Sequence, residues 1–163
     1  MTMSSRIAVM DAGKIDQIDT PAGIYEFPSS RFVAGFIGSV NLFEGKVTGR
    51  DGDEALVEGA TGVSMRMRCP QPPAVGSPVA VAVRPEKLRL CDKPREGGVN
   101  QLRGVVEDIA YLGGVSKYHV RVTDAQVVAM TLANVHPRTE QALTWGQEVI
   151  IEWGPGSGLV LTD

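Results

Sequence analysis

The side chains that could do chemistry in this chain are few, and their spacing limits what they can be. Cys69, Cys91, His119 and His136 are the only soft ligands. No pair of them has zinc-finger or His-x-x-x-His spacing, so no metal site is expected and a buried thiol is the preferred reading of each cysteine. Glu107 with Asp108, and Asp51 with Asp53 and Glu54, bring carboxylates close together. Both groups lie beside turn signals, where solvated acids belong, rather than flanking a scissile bond as general acid and base. Arg84, Lys87, Arg89, Lys93 and Arg95 form a basic run that Glu86, Asp92 and Glu96 interrupt. Mixed signs favour a solvated face over an anion site. Trp145 and Trp153 flank the last long apolar strand and are expected to pack in the core rather than stack on a ligand. No catalytic, cofactor-binding or metal-ligating residue is expected.

One constellation is left. Arg84, Pro85 and Glu86 interrupt a strand-like run of Val79, Val81 and Val83 alternating with Ala80 and Ala82, and Leu88 and Leu90 resume the alternation beyond the break. Pro85 has no amide to give a sheet ladder, so a corner is expected there. Arg84 and Glu86 can form a local ion pair, worth under about 1 kcal/mol if exposed. A fixed corner with protruding opposite charges also suits a protein–protein contact. Both readings stand at this level.

The elements that must position these residues are short. The chain has 163 residues, 43% of them hydrophobic, with 19 Gly and 10 Pro, which points to many turns and a mainly β fold rather than long helices. The net charge of −3 and 6% aromatic content argue against a nucleic-acid-binding surface. Two cysteines are too few for a disulfide framework, and a reducing cytoplasm is the expected setting. No apolar run approaches the ~20 residues that span a bilayer, and no signal-peptide pattern opens the chain, so any membrane association goes through a partner.

Residues 7–10 are a short apolar run, Asp11, Ala12, Gly13 and Lys14 have turn chemistry, and Ile15 to Ile18 follow, which predicts a β-hairpin. Thr20 before Pro21 predicts a helix start, and a short helix to about Phe27 should stop at Pro28. Ser30 can cap a second helix, with Phe32, Val33, Phe36 and Ile37 on one face before Gly38. Residues 1–40 show no core of their own. From Asn41 the texture is β, with strands expected at 41–47, 55–57 and 63–67, then the stretch at 76–90, and a polar break over 92–98.

The pattern then repeats. Asn41, Phe43, Gly45 and Val47 return as Asn100, Leu102, Gly104 and Val106 at one constant offset. Gly76, Val79, Val81, Val83 and Pro85 return as Gly146, Val149, Ile151, Trp153 and Pro155 at a larger one, and Leu88 and Leu90 correspond to Leu159 and Leu161. The longer second copy has room for an insertion near Tyr111, Leu112 and Gly113. The expected architecture is a hairpin and two short helices over 1–40, then a region 41–163 made of two repeated OB-like β-barrel units, 41–91 and 100–163, closed to hide their edges.

These residues carry a family resemblance. Arg6 to Met10, Gly13 to Ile18, Thr20, Pro21, Ile24 to Glu26, Pro28, Phe32 to Ala34, Phe36 to Gly38 and Asn41 resemble the tail of ABC-importer ATPase subunits, of the spermidine/putrescine type. Val83 to Glu86 and Tyr111 to Gly113 resemble the two short signatures of the transport-associated OB (TOBE) domain that follows in that family. Three departures stand out: Ser5 in place of a usual Asp, Asp19 in place of Gly, and Ala22 and Gly23 where the helix usually starts with acidic residues. Gly23 should weaken that helix by roughly 1 kcal/mol relative to Ala. The chain has no Gly-x-x-x-x-Gly-Lys-Ser/Thr loop, acidic Walker B strand end, LSGGQ-like signature or switch histidine, and phosphoryl transfer needs such groups.

The resemblance therefore implies a non-catalytic regulatory and dimerisation module from the C-terminal end of a longer subunit. ATP and magnesium would be held by that subunit's ATPase domain, and polyamine uptake would run through membrane permease subunits. The implied partners are a second copy of the subunit, with exchange of the N-terminal segment as one route, and the permease. The implied place is the cytoplasm, peripheral to the membrane. Arg84, Pro85, Glu86, Tyr111, Leu112 and Gly113 are the candidate contact or regulatory residues. A small-ligand or oxyanion-binding module is the alternative, and a nucleic-acid-binding OB module a weaker one.

Overall fold

The computed structural model describes residues 4–60, 62–95, 97–135 and 143–163. The chain opens with the expected hairpin, β1 (Ile7–Asp11) against β2 (Lys14–Asp19). Ala12 and Gly13 both have positive φ, 45° and 79°, the twist that lets a two-residue turn join two strands. Helix α1 (Pro21–Glu26) starts where Thr20 Oγ1 accepts the Gly23 amide at 3.1 Å, and α2 (Arg31–Ile37) where Ser30 Oγ accepts the Val33 amide at 3.2 Å. These helices differ from expectation in packing. Val9, Ile24 and Val33 are buried together with Ile7 and Ile37 against them, so this short module does have a core. The single apolar face read for α2 is split. Val33 and Ile37 turn to the hairpin and Ala34 to the sheet behind, which leaves Phe32 and Phe36 outside, stacked on each other at 5.7 Å.

The β region is two five-stranded antiparallel sheets. The first contains β3 (Asn41–Asp51), β4 (Glu54–Gly59), β5 (Ser64–Arg68) and β6 (Pro78–Val83). After β6 come a 3-10 corner at Pro85–Lys87 and the short β7 (Arg89–Cys91). The second sheet contains β8 (Asn100–Tyr111), β9 (Val115–Thr123), β10 (Gln126–Ala133) and β11 (Glu148–Trp153), followed by a second 3-10 corner at Pro155–Ser157 and β12 (Gly158–Leu161).

The repeat is visible in the register. Asn41 faces Val83 and Gly45 faces Val79, as Asn100 faces Trp153 and Gly104 faces Val149. The register shifts just after Val47 and just after Val106, which places a bulge at the same point of each unit. Gly45 and Gly104 sit where neighbouring strands come close. A Cβ would lie 2.5 Å from the Glu58 carbonyl oxygen at the first and 2.6 Å from Val120 Cγ1 at the second.

The short strands depart from the expected scheme. β7 does not return to its own sheet but pairs with β11, and β12 pairs with β6, so the sheet orders are β12-β6-β3-β4-β5 and β10-β9-β8-β11-β7. Each proline corner turns the chain off the end of its sheet, and the strand that follows enters the other one. Among the described residues neither ladder closes on itself by strand pairing. The edges of β5 and β10 are met by side chains instead: Asn100 accepts from the Arg66 amide at 2.7 Å and donates to its carbonyl at 2.9 Å, and Asn41 does the same to Ala129, both at 2.8 Å. Each asparagine is a one-residue substitute for a neighbouring strand, reaching into the other unit.

One apolar core runs through both sheets, with Phe43 and Trp153 stacked at 5.6 Å where the units meet. In β6 the bulky Val79, Val81 and Val83 alternate with the small Ala80 and Ala82. Val79 to Val83 are all buried, because α2 covers the side bearing Ala82.

Candidate functional site

The corner at Arg84 is the most heavily bonded of the candidate sites. Arg84 is 6% exposed, on the last extended residue before the 3-10 turn. Its Nη1 donates to the carbonyls of Ala34 at 2.9 Å and of Gly38 and Ser39 at 3.2 Å, and its Nη2 donates to the Tyr25 carbonyl at 3.1 Å. The guanidinium also lies over the Tyr25 ring, 4.2 Å from its centre. Its charge is thus offset by the carbonyl end of α2 and by a π face. The local ion pair with Glu86 is not what forms. Pro85 is buried and starts the turn, and Glu86 Oε1 instead accepts from the Tyr25 hydroxyl at 2.5 Å. Lys87 then pairs with Glu26 at 3.2 Å. Burial, followed by the hydrogen bond to Glu86 and its negative charge, pushes the Tyr25 hydroxyl up to about 12, while Arg84 pulls the other way.

Three residues of this corner therefore hold α1 and α2. At the opposite end of α2 the Asp163 carboxylate accepts from the Arg31 amide at 2.9 Å, and Arg31 pairs with Glu44 of β3 at 3.1 Å. The helix lies between a carboxylate at its amide end and a guanidinium at its carbonyl end. A cavity of about 120 Å³ opens beside Arg84, bounded by Tyr25, Lys87 and Ser157 among others. The sequence shows Tyr25 and Glu26 only as part of the family resemblance and does not single out Asp163, because nothing local marks their contacts. Their partners are distant in the chain.

Tyr111, Leu112 and Gly113 lie at the β8–β9 hairpin tip. Gly113 has φ +79°, and the Leu112 amide donates to the Val115 carbonyl at 2.9 Å. Asn134 organises the tip: its side-chain amide donates to the Gly113 carbonyl at 2.6 Å and its backbone amide to the Gly114 carbonyl at 2.9 Å. Tyr111 and Leu112 are 54% and 56% exposed. The tip and the Arg84 corner are built on different elements.

The remaining candidates resolve as structure. Asp51 and Glu54 pair with Arg66, and Asp53 pairs with Arg68 at 3.3 Å. Glu107 and Asp108 sit at the bulge of β8 and part company there. Glu107 takes Arg121 and Asp108 takes His119, the latter at 3.5 Å. Neither cysteine is the fully buried thiol expected: Cys69 is half-buried against the sheet core, and Cys91, also half-buried, donates from Sγ to the Lys93 carbonyl at 2.6 Å. Among the described residues no group of three or more His, Cys, Asp or Glu could hold a metal. His136 and Glu96 lie outside the described residues. The basic run is dispersed, with Arg84 buried and Arg95 paired to Glu152 at 3.6 Å. Trp153 is buried as expected. Trp145 is not: it is 74% exposed, on the turn before Gly146, with its indole N–H donating to the Glu107 carbonyl.

Residues 81–161 match the TOBE domain family. Over 99% of its length the chain is 44% identical to the putrescine transport ATP-binding protein PotG of Escherichia coli (strain K12), covering 43% of that protein. It is 39% identical over 99% of its length to the spermidine/putrescine import ATP-binding protein PotA of Rubrobacter xylanophilus, covering 42% of it. The chain thus spans less than half the length of these relatives. In fold it is similar to the solved structure of the cytoplasmic molybdate-binding protein ModG with molybdate bound. The TM-score is 0.67 at 15% identity, over 84% of this chain and 99% of ModG.

Proposed function

We propose, from the premise that this chain belongs to the TOBE domain family through its residues 81–161, that it is the non-catalytic regulatory part of an importer's ATP-binding subunit. One observation carries this reading. The chain aligns along 99% of its own length, hairpin and helices included, with polyamine-importer ATP-binding proteins of which it covers only 42–43%. The residues that phosphoryl transfer requires are not in its sequence. ATP and magnesium belong to the part of the subunit that precedes the hairpin. Polyamine, putrescine or spermidine, is the transported solute, and the permease is the membrane partner of the whole subunit, on the cytoplasmic face. The likeness to ModG carries the fold and not its ligand.

The module at residues 7–38 supports this reading. It is fastened to the first sheet on one side and leaves Met10, Ile15, Phe27 and Phe36 more than half exposed on others. Those side chains suit an ATPase domain that precedes them. In the chain alone they favour self-association into a homodimer. Since the module packs on its own sheet, association through the exposed residues is simpler than exchange of the segment. The test is ATP hydrolysis by the full-length subunit with and without residues 41–163, alongside the 163-residue chain. The expected result is an altered rate on deletion and no turnover by the short chain. Turnover by the short chain overturns the reading. A monomeric sedimentation profile at high micromolar concentration overturns the self-association.

A further inference from the structure

The two units carry equivalent proline corners, and among the described residues only the first sends side-chain hydrogen bonds and an ion pair to another element. Both are 3-10 turns that begin with proline after an extended residue, Arg84 in the first and Gly154 in the second. Both are closed by the same bond, Lys87 amide to Arg84 carbonyl at 2.9 Å and Ser157 amide to Gly154 carbonyl at 3.0 Å. Both are followed by the strand that crosses to the other sheet. The second corner does all this with Gly154, Pro155, Gly156 and Ser157. Sheet architecture therefore requires the proline and the turn, but not the side chains of Arg84, Glu86 and Lys87. All three of those go to α1, α2 or the residues just after α2.

The neighbouring sheet face differs in the same sense. In the first unit Ala82 and Leu161 bury against Ala34 of α2. The register puts Glu152 and Cys91 at the matching places of the second, and there Glu152 is held by Arg95 and Gln101. The hairpin–helix module has its own core of Val9, Ile24 and Val33, distinct from the core of the sheets. Two bodies, each with its own core, meet across a thin layer of Ala34, Ala82 and Leu161 with Val40, Leu42 and Leu159 beside them. They are tied by the three polar grips of the corner and, at the far end of α2, by Arg31 to Asp163 and Glu44. Two of the grips are part-exposed. Opening would return one guanidinium and four carbonyls to water, which can hydrogen-bond to them all.

We propose that the Arg84 corner is a latch holding residues 7–38 on the first sheet as a separable body, and that its opening and closing is how the sheets set the orientation of the chain that precedes them. The second half of this rests on the regulatory reading above. The latch itself is tested on the 163-residue chain by hydrogen exchange with mass spectrometry. Arg84→Gln is expected to speed amide exchange in residues 21–38 by at least about tenfold while β3 and β8 keep their protection. The Glu86→Gln/Lys87→Ala double variant, at part-exposed positions that leave the sheets intact, is expected to speed the same amides by about two- to threefold. Faster exchange throughout both sheets in Arg84→Gln, or none in residues 21–38, overturns the latch. The coupling is tested in the full-length subunit by comparing ATP hydrolysis of wild type, Arg84→Gln and a deletion of residues 41–163. The rate of Arg84→Gln is expected to move in the same direction as that of the deletion. A deletion that changes the rate while Arg84→Gln does not overturns the latch as a coupling device and leaves the regulatory reading standing. A deletion that changes nothing overturns that reading, and the coupling with it.

Discussion

Two departures from the family pattern prove to be one. Asp19 stands where glycine is usual, and Gly23 stands where the helix usually has an acidic residue. The Asp19 carboxylate accepts from the Thr20 amide at 2.7 Å, beside the start of α1, and fills the space a side chain at 23 would need. A Cβ there would lie 2.3 Å from Asp19 Oδ2. The negative charge that the helix start favours has moved one turn back, and the glycine makes room for it. Gly23→Ala alone should therefore fail to give the roughly 1 kcal/mol that helix propensity promises. Paired with Asp19→Gly it should recover most of it, and a double-mutant cycle in urea should show the coupling. Tyr25 gives a second test at this scale. Its hydroxyl is raised from 10.0 to about 12, so the fold favours the neutral phenol. The stability this contributes is complete below pH 10 and is lost as pH rises through about 12. Tyrosinate absorbance should show a late-titrating group, and Glu86→Gln should bring that step down. An unmoved step would mean that Glu86 does not set it.

Elements defined by local chemistry were legible in the sequence. The hairpin turn, both helix caps and the two β units follow from Gly13, Thr20, Ser30 and the repeated Asn-x-x-x-Gly pattern, because each signal and its effect lie within a few residues. The crossing of β7 and β12 was not legible. Leu88 and Leu90, or Leu159 and Leu161, fit the edge of either sheet, and two similar units offer no alternation by which to choose. Nor was the burial of Arg84, since an arginine two places before a glutamate reads as an exposed pair, and the carbonyls it satisfies belong to a helix far upstream. Asn41 and Asn100 were seen as repeat markers without their purpose. They are 5% and 4% exposed, and each satisfies both polar groups of one edge residue of the other unit. Replacing either with alanine leaves a strand amide and carbonyl without partners, at a cost of about 2–3 kcal/mol. Chemical denaturation should show similar losses for both. A loss below about 0.5 kcal/mol in either would mean that water replaces that side chain.

At the scale of the molecule, the crossed strands make the two sheets depend on each other. β6 has β12 on one side and β3 on the other, and β11 has β7 and β8. A fragment ending at residue 95 lacks the outer neighbour of β6, and one beginning at 96 lacks the outer neighbour of β11. Each should be unfolded or aggregated alone. Mixed, they should reassemble and unfold in one cooperative transition, read by circular dichroism. Independent folding of either would show the exchange to be dispensable. The same crossing sets a schedule for biosynthesis. While the chain is still on the ribosome, the outer edge of β6 stays bare until residues 158–161 emerge, long after the rest of its sheet has been made. That edge lies beside the buried Arg84 corner. A nascent chain therefore keeps an open, chaperone-accessible strand edge beside its latch until residues 158–161 have left the ribosome, and a chain terminated before them never hides it.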